Sequence, residues 1–297
     1  TAFKYRDKVV VPPLEMVDDV LTISKCGATS TTMNIKVNSF MSSKKLRLNK
    51  DKCAQIHIGT KRNDCPTLDV QGETMKHSDK EKYLGDFITK DGKIHATIVE
   101  RLSKGYGIVA NIIALISEIP LGHRRIEIGL ELRQAWFLNG ILYNSEVWQK
   151  PTEKDKADLM KIDKHLLRSI IGAHSKVPCE QLHLETGTLS IPQIIAIRRL
   201  TYLQTILKRP ENELIRNIYE AMKNDPIPGD WCEQVKNDFE KLNLDISEEQ
   251  IRVMDADQYK TLIKTEVRKE ALKEFKNMQA NHEKGKDIQH ENLSAPQ

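Results

Sequence analysis

The chain has 297 residues, of which 39% are hydrophobic, only 5% aromatic and 30% charged, with a formal net charge of +4. This length fits one large or two modest domains, and the apolar share is low but sufficient for a core. No apolar run is long enough to span a bilayer and no charged-then-apolar leader is present, so a soluble chain without a membrane partner is expected.

The charge is unevenly placed: residues 1–150 carry 23 basic and 17 acidic side chains, a net of +6, and residues 151–297 a net of −2. The sequence opens on Thr1, so the expectation is a piece of a longer protein. Five cysteines (Cys26, Cys53, Cys65, Cys179, Cys232) are an odd number without a Cys-x-x-Cys pair. That pattern excludes the usual zinc spacing and predicts free thiols in a reducing compartment.

In chain order, the first apolar runs flank the tetrapeptide Met16-Val17-Asp18-Asp19, with Val9, Val10, Val11 and Leu14 before it and Val20, Leu21 and Ile23 after it. Two strands over residues 9–24 are predicted, joined by a tight turn with both carboxylates at its tip. A cluster of cap-type residues at 29–32 predicts a helix over 33–45, with Met33, Val37, Phe40 and Met41 at helical spacing. Residues 46–58 read as a loop into a strand, with Lys52 just before it, and residues 68–70 as a short strand. A further strand region covers 82–88, where Gly85 suggests a bulge, and Asp91-Gly92 predicts a hairpin turn.

Beyond Gly92 the periodicity becomes helical. Ile98, Leu102, Tyr106, Val109, Ile112 and Ile116 predict a long amphipathic helix, weakened at Gly105 and Gly107 and ended by Pro120. A second helix is predicted over 124–139, a third from Thr152 to a stop at Gly172, a loop over 173–190, and a fourth helix from Pro192. Pro226-Ile227-Pro228-Gly229 reads as a linker. Residues 231–242 and 256–278 read as charged helices, and the tail from His282 as disordered. Trp136, Trp148 and Trp231 are expected in the core or an interface.

Adjacent aspartates on a strand–turn–strand suit Mg²⁺, a hard cation bound by carboxylate and phosphate oxygens. The plain alternative is that Asp favours turns because its side chain bonds its own backbone. Residues 25–62 add nine basic side chains (Lys25, Lys36, Lys44, Lys45, Arg47, Lys50, Lys52, Lys61, Arg62) against the single acid Asp51. A stripe so poor in acid favours a phosphate partner over an ordinary solvated face, which mixes both signs.

Order then adds to composition. An apolar strand with Val17-Asp18-Asp19, a basic helix leading into Leu46-Arg47-Leu48-Asn49-Lys50-Asp51-Lys52, and then Lys82-Tyr83-Leu84-Gly85 before a helical region resembles the C-terminal half of the reverse transcriptase palm and the thumb of non-LTR retrotransposons. In that family these are the third, fourth and fifth blocks of the palm, the fifth being the primer grip. Residues 162–168 and 184–192 resemble the region after the thumb. The likeness covers about residues 9–209. Met16 stands where the family usually has Tyr or Phe, and neither the first catalytic block nor the fingers is present.

The resemblance implies an α+β fold: a partial polymerase palm, made of an antiparallel sheet plus a helix, followed by an α-helical thumb and a helical extension. The implied divisions are the palm with its primer-grip hairpin (1–92), the thumb (93–150), a post-thumb helical region (151–225) and a charged extension with a tail (226–297). It implies RNA-directed DNA synthesis by two-metal phosphoryl transfer. Asp18 binds Mg²⁺, Asp19 supports it, and Lys52 acts at the leaving pyrophosphate. Tyr83, Leu84 and Gly85 hold the primer. Lys44, Lys45, Arg47, Arg101, Lys104, Arg124 and Arg125 contact nucleic acid, with Arg133 a further candidate. Partners are an RNA template, a DNA primer, deoxynucleoside triphosphates and further domains of a parent polyprotein, with action in the nucleus. Lacking the first aspartate, the segment is expected to be inactive in isolation. A non-catalytic nucleic-acid-binding remnant and a helical protein-interaction scaffold remain the alternatives.

Overall fold

The computed structural model describes residues 3–6, 8–59 and 66–293, with side chains to residue 280. Its strands are β1 (Phe3–Tyr5), β2 (Val9–Val11), β3 (Leu14–Met16), β4 (Asp19–Leu21), β5 (Ala54–Gln55), β6 (Asp69–Val70), β7 (Glu73–Thr74), β8 (Lys76–His77), β9 (Lys80–Tyr83) and β10 (Asp86–Thr89). The helices are α1 (Gly27–Ser43), α2 (His95–Ser117), α3 (His123–Leu132), α4 (Asn139–Ile141), α5 (Glu153–Ile171), α6 (Cys179–Glu185), α7 (Ile191–Leu207), α8 (Leu214–Asn224), α9 (Trp231–Lys241), α10 (Glu248–Val253) and α11 (Ala256–Leu293). The class is α+β. No described helix is long and apolar enough to cross a membrane. Cys53 and Cys179 are free thiols, and Cys65 lies outside the described residues.

Two compact units form: Thr1–Val99 with Arg209–Cys232, and Glu100–Lys208 with Glu233–Gln297. Residues 209–232 join the N-terminal unit, and the division between the units falls within α2, at Val99–Glu100.

Among the described residues of the first unit, the strands form five separate two-stranded ladders rather than one sheet. Four are antiparallel and one, β5 with β8, is parallel. Three are tight hairpins. Gln71 (φ 49°) and Gly72 (φ 93°) join β6 to β7, and Leu84 (φ 47°) and Gly85 (φ 93°) join β9 to β10. Positive φ at both loop positions is the I′ signature, which matches the twist of the flanking strands. Gly85 is therefore a turn residue and not a bulge. Asp91-Gly92, expected to close a hairpin, leads into α2 instead: the Asp91 carboxylate accepts from the Thr89 hydroxyl at 2.7 Å and the Lys93 amide at 3.1 Å.

Helix α1 starts at Gly27 with Cys26 as its N-cap, so Thr31 and Thr32 lie inside it and donate to the Gly27 and Ala28 carbonyls. It buries no residue. Its docking is polar: Asn34 and Asn38 donate to the Asp69 carbonyl at 2.8 and 3.0 Å, and the Gln71 amide donates to Asn38 Oδ1 at 3.2 Å. The N-terminal ladder is tied to α8 by Arg6, which donates to the Ala221 and Met222 carbonyls and pairs with Asp230 at 3.2 Å.

The second unit has a conventional helical core. Helix α5 opens with a Thr152–Asp155 capping box, buries Leu159, Ile162, Leu166, Leu167 and Ile170, and stops at Gly172, whose φ of 68° places it in the left-handed region. Helix α7 opens with Ser190 and Gln193, has Pro192 in its first turn and buries residues around most of its circumference. It packs against α5, α10, α11 and the 3₁₀ turn Ser145–Val147. The buried stripe of α2 runs through Arg101, Gly105, Val109, Ile112 and Ile116, so Tyr106, expected within it, faces out. Gly105 permits that packing, because a Cβ there would sit 2.9 Å from Ile141 Cγ2, whereas one at Gly107 would meet nothing within 4 Å.

Between α3 and α4 the backbone is π-helical over Arg133–Leu138. Trp148 is buried as expected, but Trp136 is 40% exposed. Helices α6, α8 and α10 are not among the helices that the sequence predicts. The backbone of α11 stays helical to Leu293, through positions assigned to a disordered tail; residues 294–297 lie outside the described residues.

Candidate active site

β3 and β4 pair with Leu14 opposite Leu21, Glu15 opposite Val20 and Met16 opposite Asp19. The loop is therefore Val17-Asp18, and Asp19 is the first residue of a strand rather than part of the tip. Val17 has φ 58° while Asp18 is not among the positive-φ residues, the sign pattern of a II′ turn. Glycine normally takes that first position, and a β-branched residue there costs on the order of 1–3 kcal/mol. Val17 is 99% exposed, so no packing holds it; the two-residue connection itself imposes the conformation. Alternation along the strands puts Leu14, Met16, Asp19 and Leu21 on one face and Glu15 and Val20 on the other. Both aspartates are exposed.

Lys52 is the last residue of a 3₁₀ turn, Lys50–Lys52, where the Asn49 side chain accepts from the Asp51 amide at 3.1 Å. It is exposed. Lys50, at the start of the same turn, is engaged by Glu73 at 2.5 Å. Lys44, Lys45 and Arg47 are exposed just beyond the end of α1. Lys61 and Arg62, the last two cations of the basic segment, lie outside the described residues.

Tyr83 pairs with Asp86 across the Leu84-Gly85 turn, so the three expected primer-grip residues occupy the end and tip of the β9–β10 hairpin. Tyr83 is half-buried and Leu84 is 39% exposed. On one side of the hairpin Lys80 and Lys82 hold their ammonium groups 5.2 and 6.0 Å from the centroid of Phe87. Asp18, Asp19, Lys52 and Tyr83 to Gly85 all belong to the first unit, but the β3–β4 and β9–β10 ladders share no strand pairing.

The expected thumb cations belong to the second unit and differ among themselves. Arg124 is exposed. Lys104 pairs with Glu100 one turn back at 3.1 Å. Arg125 donates to the Ser169 carbonyl at 2.9 Å. Arg101 is 5% exposed, its guanidinium 5.3 Å over the Tyr143 ring. Arg133 is committed to the interior: Nε and one terminal nitrogen each reach Asp163 at 2.7 Å, and the latter also donates to the Leu189 carbonyl at 3.0 Å.

That buried pair anchors a network that sequence reasoning missed. His183 Nε2 is 3.9 Å from Asp163 and its Nδ1 is 2.9 Å from the Thr188 hydroxyl. Burial holds the His183 imidazole below its ordinary range, opposed by Asp163 and reinforced by Arg133. Burial also pushes the Cys179 thiol up to about 11, so this cysteine is not an activated nucleophile. The available signal was Asp163 itself, an acid within the apolar stripe of α5 beside Ile162 and Leu166.

Among the described residues there is no group of three or more His, Cys, Asp or Glu side chains able to hold a metal ion. A cleft of about 220 Å³ in the second unit, lined by Lys156, Ile195, Arg199, Asp238, Lys241 and others, contains none of the candidate site residues. Set against models of known families, curated proteins and solved structures, the chain matches none.

Proposed function

We propose that this chain carries part of the palm, and the thumb, of an RNA-directed DNA polymerase of the non-LTR retrotransposon type. The observation that supports this reading is the exposed two-residue hairpin loop with Asp18 at its tip and Asp19 beginning the next strand. A helix without acidic residues follows, and the tight hairpin at Tyr83–Asp86 comes later in the chain, in the order the resemblance requires. Backbone strain at a loop that nothing packs against is the kind of feature that collects at working sites.

Mg²⁺ takes one or two carboxylates and completes its shell with water and substrate phosphates. Asp18 and Asp19 fit that donor set, with Asp18 in the loop as the ligand and Asp19 as support. Bound there, the ion would supply charge neutralisation at the primer 3′-oxygen and the triphosphate. The role of the chain is to present oxygen ligands on a short turn, with Lys52 serving the leaving pyrophosphate and Tyr83, Leu84 and Gly85 holding the primer strand. Exposed cations around the end of α1 and at Arg124 serve the phosphate backbone.

Two carboxylates from one turn leave two-metal chemistry under-ligated. Because no group of three or more His, Cys, Asp or Glu among the described residues could hold a metal ion, a second reading is kept for this polypeptide, a nucleic-acid binder without catalysis. Primer extension on an RNA template separates the two. The chain alone should incorporate no nucleotide. Joined to an upstream half that brings fingers and another aspartate, it should extend the primer. Asp18→Ala in that assembly should abolish extension and leave template binding intact; unaltered extension by this variant would remove Asp18 from the site.

A further inference from the structure

The exposed face of α1 is built for contact. Asn34 and Asn38 turn one side of the helix toward Asp69, while Lys36, Ser39, Phe40, Ser43 and Lys44 are exposed on the other. Lys36, Phe40 and Lys44 follow at intervals of four, a single stripe on the order of 12 Å long. Phe40 is 56% exposed, and Lys44 Nζ lies 6.0 Å from its centroid. The helix has no acidic residue.

The end of the helix extends the stripe. The Leu46 amide reaches back to the Met41 carbonyl at 2.9 Å and the Lys45 amide to the Ser42 carbonyl at 3.0 Å, with Lys45 at φ 56°. This is the Schellman pattern, here with lysine at the left-handed position that glycine usually takes. It turns the chain so that Lys45 and Arg47 continue the positive surface beyond Lys44.

We infer that this face is a stacking platform for an unpaired stretch of nucleic acid, with Phe40 receiving a base and Lys36, Lys44, Lys45 and Arg47 meeting the phosphates on either side. It deepens the nucleic-acid reading above by naming a residue and a strand state. An exposed aromatic ring among cations, with no neighbouring acid, complements a polyanion whose bases are free, since every base offers a π-face and duplex bases do not. On its exposed side Phe40 is flanked by Lys36, Ser39, Ser43 and Lys44, whose polar and cationic heads suit phosphates better than an apolar partner surface.

The test is a fluorescence-anisotropy titration of the full chain with a short oligouridine and with a blunt RNA duplex at several salt concentrations. Phe40→Ala should weaken oligouridine binding about 5- to 150-fold with an unchanged salt slope and leave duplex binding unchanged. Phe40→Tyr should restore most of the affinity. Lys44→Gln with Lys45→Gln should instead reduce the salt slope, by about 0.7 for each phosphate no longer neutralised. Lys45→Gly removes the side chain with its charge while suiting the left-handed cap position, so it controls for folding of the helix end. Equal oligouridine affinity for the unaltered chain and Phe40→Ala overturns the platform while leaving the nucleic-acid reading in place. No salt-dependent binding of either RNA by the unaltered chain overturns both and turns attention to a protein partner for this face.

Discussion

The two units solve the folding problem differently. Among the described residues, the N-terminal unit buries six apolar side chains and the helical unit twenty-eight, a gap far beyond their difference in length. The helical unit is held by an interior of branched aliphatic residues around α7, the dominant source of folding free energy. The N-terminal unit relies on two-residue turns, amide-to-carbonyl bonds and a few ion pairs, each worth on the order of 1 kcal/mol. Its apolar residues lie largely outside: Val10, Met16, Val17, Val20, Ile35, Phe40, Leu46 and Ile58 are all exposed. Stability and candidate chemistry are thus separated along the chain.

The strongest challenge to this contrast is to place a failure inside the helical unit. Asp163→Ala leaves the Arg133 guanidinium, 3% exposed, without its counter-charge, and should cost about 3–5 kcal/mol. Urea unfolding followed by circular dichroism reads it. Arg6→Ala is the matching cut in the N-terminal unit, and should cost about 2 kcal/mol, because Asp230 keeps some solvent access at 11% exposure. Equal destabilisation by the two would erase the distinction.

A sharper comparison lies within one helix. Gly105→Ala should destabilise by about 1–3 kcal/mol, since its methyl group meets Ile141 and Ile162. Gly107→Ala, two residues away in open space, should stabilise by up to about 1 kcal/mol. Thermal melts of the pair report opposite signs if the packing is as described. In the N-terminal unit, Asn38→Ala removes bonds to Asp69 and Gln71 and should cost about 1 kcal/mol, visible as faster hydrogen exchange confined to α1.

The smallest effect is a dependence on pH. The His183 imidazole is held below its ordinary value when folded, so the unfolded chain binds the proton more readily. Stability is then fully present above the ordinary imidazole value of about 6.5 and declines as pH falls below it. His183→Gln should flatten that decline in melts taken between neutral and mildly acidic pH.

The same contrast explains what could be read in advance. Helices α5 and α7 were legible because capping residues, Pro192 and Gly172 frame a strong apolar period. The stripe of α2 was legible only in part. Arg101 and Gly105 occupy it through a cation–π interaction and a close helix approach, and neither is visible in hydrophobicity. In the N-terminal unit the Asp18-Asp19 hairpin was legible from its flanking apolar runs. The residues at its tip were not, because the register puts Asp19 into β4 and leaves Val17 to bear the positive φ. The Leu84-Gly85 and Gln71-Gly72 turns escaped notice for a related reason: neither begins with Asn or Asp, the residues that usually signal such a loop. The Arg133–Asp163 pair joins positions thirty residues apart in sequence, beyond any local pattern.

The amide bonds that seat α1 on Asp69 carry a calorimetric consequence. Detaching a helix whose apolar side chains are at most half-buried exposes comparatively few groups that order water, so its release contributes little to the heat-capacity increment of denaturation. The temperature at which α1 lets go should then shift little with the sulfate and osmolytes that strengthen apolar burial, while the melting of the helical unit climbs with both.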